Sequence, residues 1–388
     1  MNVVLSHLTL NFLGGEEKLC LSFIKALKLS GSRVTLFTVE KTDWGSVGKF
    51  FGSFVKPDEE IYSAPSTISV NLKTPTLALA YANYLAGLIK FTFKRKYDLV
   101  INTYGDLINS VADLSYVHFP LRATLDYSQI PVFTSLIKWR AYCQAYNLAS
   151  LILDNVKPGV LLTNSKFTQQ VVKKYLKRDA FVLHPPADVQ AYASKEVKRQ
   201  NCVITMSRFT PKRALYRVPL IAKNAKAAKF IIAGKADEHS FKTIQDLKEI
   251  IKRCGVEDRV VLLPNVSHST LIELLTRAKV YLHVMPFEHF GISIIEAMAT
   301  GCVPIVHRSG GPWLDILDQQ QAKYGFSYAN VEEAAQFVEL LIGNENMRRE
   351  ISSATQKRSW NYDKSIFEKK LIDIVNRITS SVVSNSDG

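Results

Sequence analysis

Two carboxylates set the chemical question posed by this 388-residue chain. Glu288 and Glu296 fall in the run MPFEHFGISIIEAMATGCVPIVHRSGGPWLDI, with Gly291 between them and a helical pattern from about Ile292 to Thr300. The spacing predicts one carboxylate in a loop and the other on a helix. Glycoside hydrolysis is the first chemistry such a pair suggests, but it requires both groups to flank one bond at roughly 5–10 Å. Ligand holding fits the neighbours better. A helix that begins near Ile292 leaves the amides of Phe290, Gly291 and Ile292 without intrahelical acceptors, and such N–H groups suit a phosphate or a sugar hydroxyl. Gly291 lets a ligand come close to the main chain. Glu288 would then accept hydrogen bonds from a transferred sugar, and Glu296 from a ribose. Without a ligand, Glu296 is an ordinary exposed helix residue and Glu288 a cap.

These groups need a scaffold that gathers them. Short Val, Ile and Leu runs alternate with longer segments of helical period, the pattern of parallel strands covered by helices. NVVLS, RVTLFTV, DLVINTYG, GVLLTNS and FVLHPP predict strands beginning near Asn2, Arg33, Asp98, Gly159 and Phe181. CVITMS, KFIIAG, RVVLLP, KVYLHV and VPIVH supply a second series after Pro185, Pro186 and a polar stretch to Gln200. The fold class is therefore α/β, two Rossmann-like doubly wound domains facing across a cleft, with ligands beyond the carboxyl ends of the strands. The expected division is a first domain over 1–196 and a second over 197–358. A helix over 359–379 is expected to pack back on the first domain, with a flexible tail over 380–388.

Composition narrows the function classes. A chain of 43.6 kDa exceeds one hydrophobic core, so two domains are the natural expectation. Cys20, Cys143, Cys202, Cys254 and Cys302 are widely spaced, without a disulfide framework or zinc-ligand pattern. The first residues enter a strand-like run with no secretory signal, so a cytoplasmic location is expected. The net charge of +14 divides evenly, with 22 basic and 15 acidic residues up to 197 and 27 and 20 beyond. Spread charge of this kind differs from a nucleic-acid-binding arm, so no nucleic-acid partner is expected. It does favour phosphorylated substrates and peripheral contact with an anionic membrane. Thr76 to Ile89 is almost wholly apolar and is followed by Lys90, Lys94, Arg95 and Lys96. It is too short to span a bilayer, which leaves a buried helix or an interfacial anchor.

The glutamate pair, the small-residue turn after it and Gly310–Gly311 give the sequence a resemblance to glycosyltransferase family 4, of GT-B fold. The string EHFGISIIEAMATGCVPIVHRSGGPWLDI and the earlier YVHFP, Tyr116 to Pro120, look most like the mannosyltransferases that extend lipid-linked oligosaccharides in asparagine-linked glycosylation. That resemblance implies GDP-mannose as donor, with a UDP-sugar as the alternative, and a glycan or polyprenyl-linked acceptor. It also implies retention of configuration. In SRFTPKRAL, Arg208 and Arg213 match donor positions and could clamp a diphosphate by bidentate bonds. The family usually has lysine at Arg213 and an acid at Lys212, so either Lys212 or Arg213 could face the phosphate. Gly14 and Gly15 form an incomplete phosphate loop or a plain tight turn, and Glu17 holds the family's glutamate position. His118 alone reads as structural, whereas the resemblance places it against the sugar. Asp315 stands where many relatives carry glutamate. His184, His268, His283 and His307 read as structural. No Asp-x-Asp triplet occurs, so no metal is expected and the cations must stabilise the leaving group. Base reading is expected around Leu263 to Val266. An inactive nucleotide-sugar-binding homologue is the other outcome the motifs allow.

Overall fold

The computed structural model describes residues 1–63, 74–93, 96–106, 108–127, 159–193 and 197–384, with backbone alone for 74–79, 125 and 381–384. Cys143, Lys94 and Arg95 lie outside the described residues. Strands β1 (Asn2–Ser6), β2 (Arg33–Thr38), β3 (Glu59–Tyr62), β4 (Leu99–Asn102), β5 (Leu114–Val117), β6 (Val160–Thr163) and β7 (Phe181–Val182) form a parallel sheet of order 3-2-1-4-5-6-7. The apolar runs of β1, β2, β4 and β5 are buried on both faces, as parallel strands between helix layers require, whereas the edge strands β3 and β7 are partly exposed. The longer helices among the described residues of this half are α1 (Gly15–Leu29), α2 (Trp44–Phe51), α3 (Thr74–Phe93) and α4 (Lys166–Leu176).

The second sheet repeats the plan. Strands β8 (Gln200–Met206), β9 (Lys229–Gly234), β10 (Val260–Pro264), β11 (Ala278–His283), β12 (Val303–His307) and β13 (Phe326–Tyr328) run parallel in the order 10-9-8-11-12-13. Around them lie α5 (Arg217–Asn224), α6 (Ser240–Cys254), α7 (His268–Arg277), α8 (Ile292–Thr300), α9 (Val331–Gly343) and α10 (Glu345–Ser359). Both sheets reverse direction of growth beside their first strand, at β1/β4 and β8/β11, where such folds bind ligands. The doubly wound α/β expectation holds.

The chain then returns. Helix α11 (Lys364–Ser384) buries Phe367, Leu371 and Val375 in the N-terminal core with Leu5, Phe23 and Tyr116. It runs past Thr379, where a frayed tail was expected, and 385–388 lie outside the described residues. The outgoing and returning segments touch: Ala187 bridges Asp363, Ala187 N donates to Tyr362 O at 3.0 Å, and Lys364 N donates to Ala187 O at 2.9 Å. Helix α3 carries the apolar segment. Ala80, Tyr84, Leu88 and Phe91 form a buried stripe at helical spacing against Phe37 and Val100. Tyr84 Oη donates to Asn102 Oδ1 at 2.7 Å. Among the described residues no helix is long and apolar enough to cross a membrane.

Candidate active site between the two domains

The C-terminal wall is built at the strand ends. Glu288 sits in the loop after β11, where Arg213 Nη1 donates to its Oε2 at 2.8 Å and His283 Nε2 approaches the same oxygen at 3.4 Å. Burial pushes the Glu288 carboxyl up, but Arg213 and His283 outweigh it and hold it well below the usual carboxylate range. Close approach fixes the loop. Gly311 N donates to Glu288 O at 2.9 Å, and a Cβ on Gly310 or Gly311 would meet Glu288 O or His289 O at 2.3 or 2.2 Å. Ser309 Oγ accepts from Phe287 N at 2.8 Å and bonds His307 Nδ1 at 2.8 Å. Helix α8 starts after Gly291, whose φ of +97° suits glycine. The amides of Phe290, Gly291 and Ile292 meet no acceptor among the described residues. The Phe290 ring is buried between His184 and Tyr362.

Three cations, Arg208, Lys212 and Arg213, gather beside this wall, and Arg213 is the one paired with Glu288. Arg208 is exposed just beyond β8 and makes no side-chain hydrogen bond among the described residues. Burial and Arg213 pull its guanidinium down, against Glu16, Glu17 and Glu288. Lys212 is lowered by burial and by both arginines. Mutual repulsion of this kind is relieved by an anion.

The N-terminal wall comes from α1 and β5. Gly14 N donates to Glu17 Oε2 at 2.6 Å, so Glu17 folds back as a cap on its own helix and its other oxygen lies 3.8 Å from His7 Nε2. No neighbour crowds a Cβ on Gly15, which leaves open space there. His118 is buried at the end of β5, and its Nε2 bonds Thr103 O at 3.1 Å. A carbonyl can only accept, so Nε2 carries the proton and Nδ1 is an acceptor. Burial drives the His118 imidazole down to about 3, with His7 adding to the effect, and it is neutral at pH 7. Asp106 accepts from the amides of His118 and, at 2.8 Å, Phe119. Burial lifts Asp106 to about 7, and burial with Asp106 and Glu17 lifts Glu16 well above its ordinary value.

The two walls meet. The Phe119 ring lies flat on His289, 4.0 Å between centroids and 2° from parallel. The residues following His118 and Glu288 are therefore in face-to-face contact. Lys18 Nζ on α1 reaches Glu296 Oε1 on α8 at 3.6 Å. Burial raises the Glu296 carboxyl against Lys18, His268 and Tyr192. These contacts bring the end of β5 beside the Glu288 loop and α1 beside α8.

Residues 188–358 match the family described as glycosyl transferases group 1. The C-terminal domain belongs to the group 1 glycosyl transferases. Over 302 residues the chain is 22% identical to GDP-Man:Man(3)GlcNAc(2)-PP-Dol alpha-1,2-mannosyltransferase of Dictyostelium discoideum, a match covering 73% of this chain and 59% of that protein. The mouse protein of the same name is 27% identical over 254 residues, 56% of this chain and 51% of its own. The matched region spans little more than half the length of these relatives. Among solved structures, the Anabaena protein HepE in complex with UDP superposes with a TM-score of 0.72 at 16% identity, covering 97% of this chain and 100% of that one. That likeness fixes the fold as GT-B.

Several residues of the glycosyl transferase domain do work the sequence did not disclose. Asp315 is a strut between domains: both its oxygens accept from Lys166 N at the start of α4, at 2.9 and 3.0 Å, and His184 Nε2 is 2.8 Å from Oδ1. A carboxylate is well placed at that positive helix end. His283, read as structural, stands against Glu288, and His268 packs edge-on against Tyr192 near Glu296. Lys18 and the Phe119–His289 stack carried no sequence signal, because their partners lie far along the chain. In the region expected to read the base, Asn265 Oδ1 accepts from Ala236 N at 2.8 Å and ties the loops after β9 and β10 together.

Proposed function

We propose that the chain is a retaining glycosyltransferase that moves mannose from GDP-mannose onto a polyprenyl-diphosphate-linked glycan. The observation that carries this reading is the cleft charge pattern: Arg208, Lys212 and Arg213 crowd beside the free amides of α8, with Glu288 and Glu296 flanking them. A diphosphate neutralises the cations and caps the amides. Glu288 then accepts sugar hydroxyls and Glu296 the ribose hydroxyls, taking the place of Lys18. His118 Nδ1 offers an acceptor to the sugar. Bond making and breaking occur on one face: the bond from C1 to the diphosphate oxygen breaks, the acceptor oxygen bonds C1, and the acceptor proton goes to the departing phosphate. No protein nucleophile is needed.

Stabilisation of the leaving group by arginines and helix amides supports a metal-independent reaction. The mannosyltransferase names of the relatives support the donor and the lipid-linked acceptor, and the +14 charge supports a peripheral place on the cytoplasmic face of an anionic membrane. The complex of HepE with UDP favours a second reading, transfer from a UDP-sugar.

Mass spectrometry after incubation with GDP-mannose and UDP-glucose, each with a dolichyl-diphosphate glycan, decides between them. A hexose added from GDP-mannose alone supports the first reading, and addition from UDP-glucose alone the second. Tight GDP binding with no product from either donor refutes catalysis and leaves a nucleotide-sugar-binding homologue. Tighter binding of a short oligonucleotide than of either nucleotide overturns the carbohydrate reading altogether.

A further inference from the structure

A second cavity opens at the far end of the C-terminal sheet. Its volume is about 560 Å³, within the roughly 300–1,000 Å³ span of small-ligand sites. Lys198 and Arg199 lie just before β8, Lys279 is the second residue of β11, and Glu345, Arg348 and Arg349 come from the first turns of α10. Arg208 follows the other end of β8. At about 3.3 Å per residue, the strand alone separates the two places by roughly 20 Å.

The charges lining this cavity do not balance. Five cations face it with a single carboxylate, Glu345. Arg348 donates to Glu345 at 2.7 and 3.1 Å, Arg349 at 3.0 Å and Lys279 at 3.0 Å, so three cations share one acid. The Arg348 and Lys279 side chains are only 5% and 12% exposed. Arg199 donates to the carbonyls of Ala278, at 2.6 Å, and Thr300, and has no carboxylate partner among the described residues. Burial lowers its guanidinium, with Arg348 adding repulsion. Lys198 is exposed and forms no ion pair among the described residues. Cations withdrawn from water are costly unless an opposite charge approaches them.

We propose that this cavity, which Ser353 of α10 also lines, binds a small phosphate-type anion, a diphosphate or a phosphomonoester, held by the Lys198 and Lys279 ammonium groups and the Ser353 hydroxyl. Arg199 and Arg348, already saturated by protein acceptors, contribute field in place of direct bonds. The site is separate from the donor cleft and independent of the reaction proposed above. Such a group arrives either as a free ion or as the headgroup of a phosphorylated lipid.

Calorimetric titration of inorganic pyrophosphate into R208A, which weakens the donor cleft, isolates the second site. Binding is expected to persist in R208A and to weaken at least tenfold in R208A/K198Q/K279Q. Because Lys279 is bonded to Glu345, R208A/K198Q/S353A repeats the test without disturbing that pair. Amide hydrogen exchange over 345–353 gives a local readout: pyrophosphate is expected to slow it in R208A and not in R208A/K198Q/S353A. Sedimentation with phosphatidylcholine vesicles, with and without phosphatidic acid, then identifies the source. Pelleting that needs both phosphatidic acid and Lys198 indicates a headgroup, whereas pyrophosphate binding without it indicates a free ion. No heat and no slowed exchange in R208A, or equal affinity after K198Q/S353A, overturns the proposal. Transfer activity in K198Q/S353A stays as in the wild type, so the failure of either reading is visible apart from the other.

Discussion

Replacing Arg208 by alanine separates function from folding more sharply than any other change in the cleft. The residue is exposed as a whole and its guanidinium, though partly withdrawn from water, makes no side-chain hydrogen bond among the described residues, so stability should move by no more than about 0.5 kcal/mol. Loss of repulsion with Arg213 pushes that small change toward stabilisation. A bidentate contact to a diphosphate comprises two charge-assisted hydrogen bonds of about 1.5–3 kcal/mol each. Removing both costs about 3–6 kcal/mol, or roughly 10²- to 10⁴-fold in kcat/KM at about 1.4 kcal/mol per decade. Arg208→Lys keeps the charge and loses the fork, so it should recover part of that loss. Initial rates of transfer from GDP-mannose, with thermal melts of the same preparations, test both halves. A folded R208A enzyme with kcat/KM within threefold of the wild type would refute the clamp.

Arg213→Ala should lose stability as well as activity, by about 2 kcal/mol in urea unfolding, because it strands Glu288 beside a buried histidine. Adding Glu288→Gln should restore the stability without restoring transfer; a double variant no more stable than R213A counts against the pairing. Lys18→Met removes the competitor for Glu296, so the donor KM should fall severalfold, whereas a rise would make Lys18 itself a donor contact. His289 is lowered to about 4, burial being the main cause. The unfolded chain therefore binds the extra proton between pH 6.5 and 4, and the stability His289 contributes is lost as pH falls through that window. Melting temperatures of His289→Phe should accordingly drop less than the wild type's between pH 7 and 4.5, and parallel curves would contradict this. Treatment with EDTA should leave the transfer rate unchanged, and a loss restored by added magnesium would assign the leaving group to a metal.

Strands with strong apolar runs could be read from the sequence, and those without could not. NVVLS and RVTLFT begin where β1 and β2 do, since a parallel strand buried on both faces must be apolar throughout. Glu59–Tyr62 and Phe326–Tyr328 escaped notice because edge strands of four and three residues leave too little pattern. The local part of the site was similarly legible: Gly291, the start of α8 and the Glu288 loop are set by neighbours within a few residues. The pairing of Lys18 with Glu296 was not, nor was the use of Asp315 to cap α4, because each joins residues well over a hundred positions apart. Glu17, which holds the family's glutamate position, accepts from the amide of Gly14 at the start of its own helix.

The return of α11 makes the first domain discontinuous in sequence. A fragment ending near 190 would lack Phe367, Leu371 and Val375, leaving the surface of Phe23 and its neighbours open to water and to aggregation. Supplying 360–384 as a separate peptide should rescue the solubility of that fragment. The outgoing and returning segments are hydrogen-bonded to each other where Ala187 meets Tyr362 and Lys364, so any relative movement of the halves must turn two tethered segments together, unlike two beads on a string.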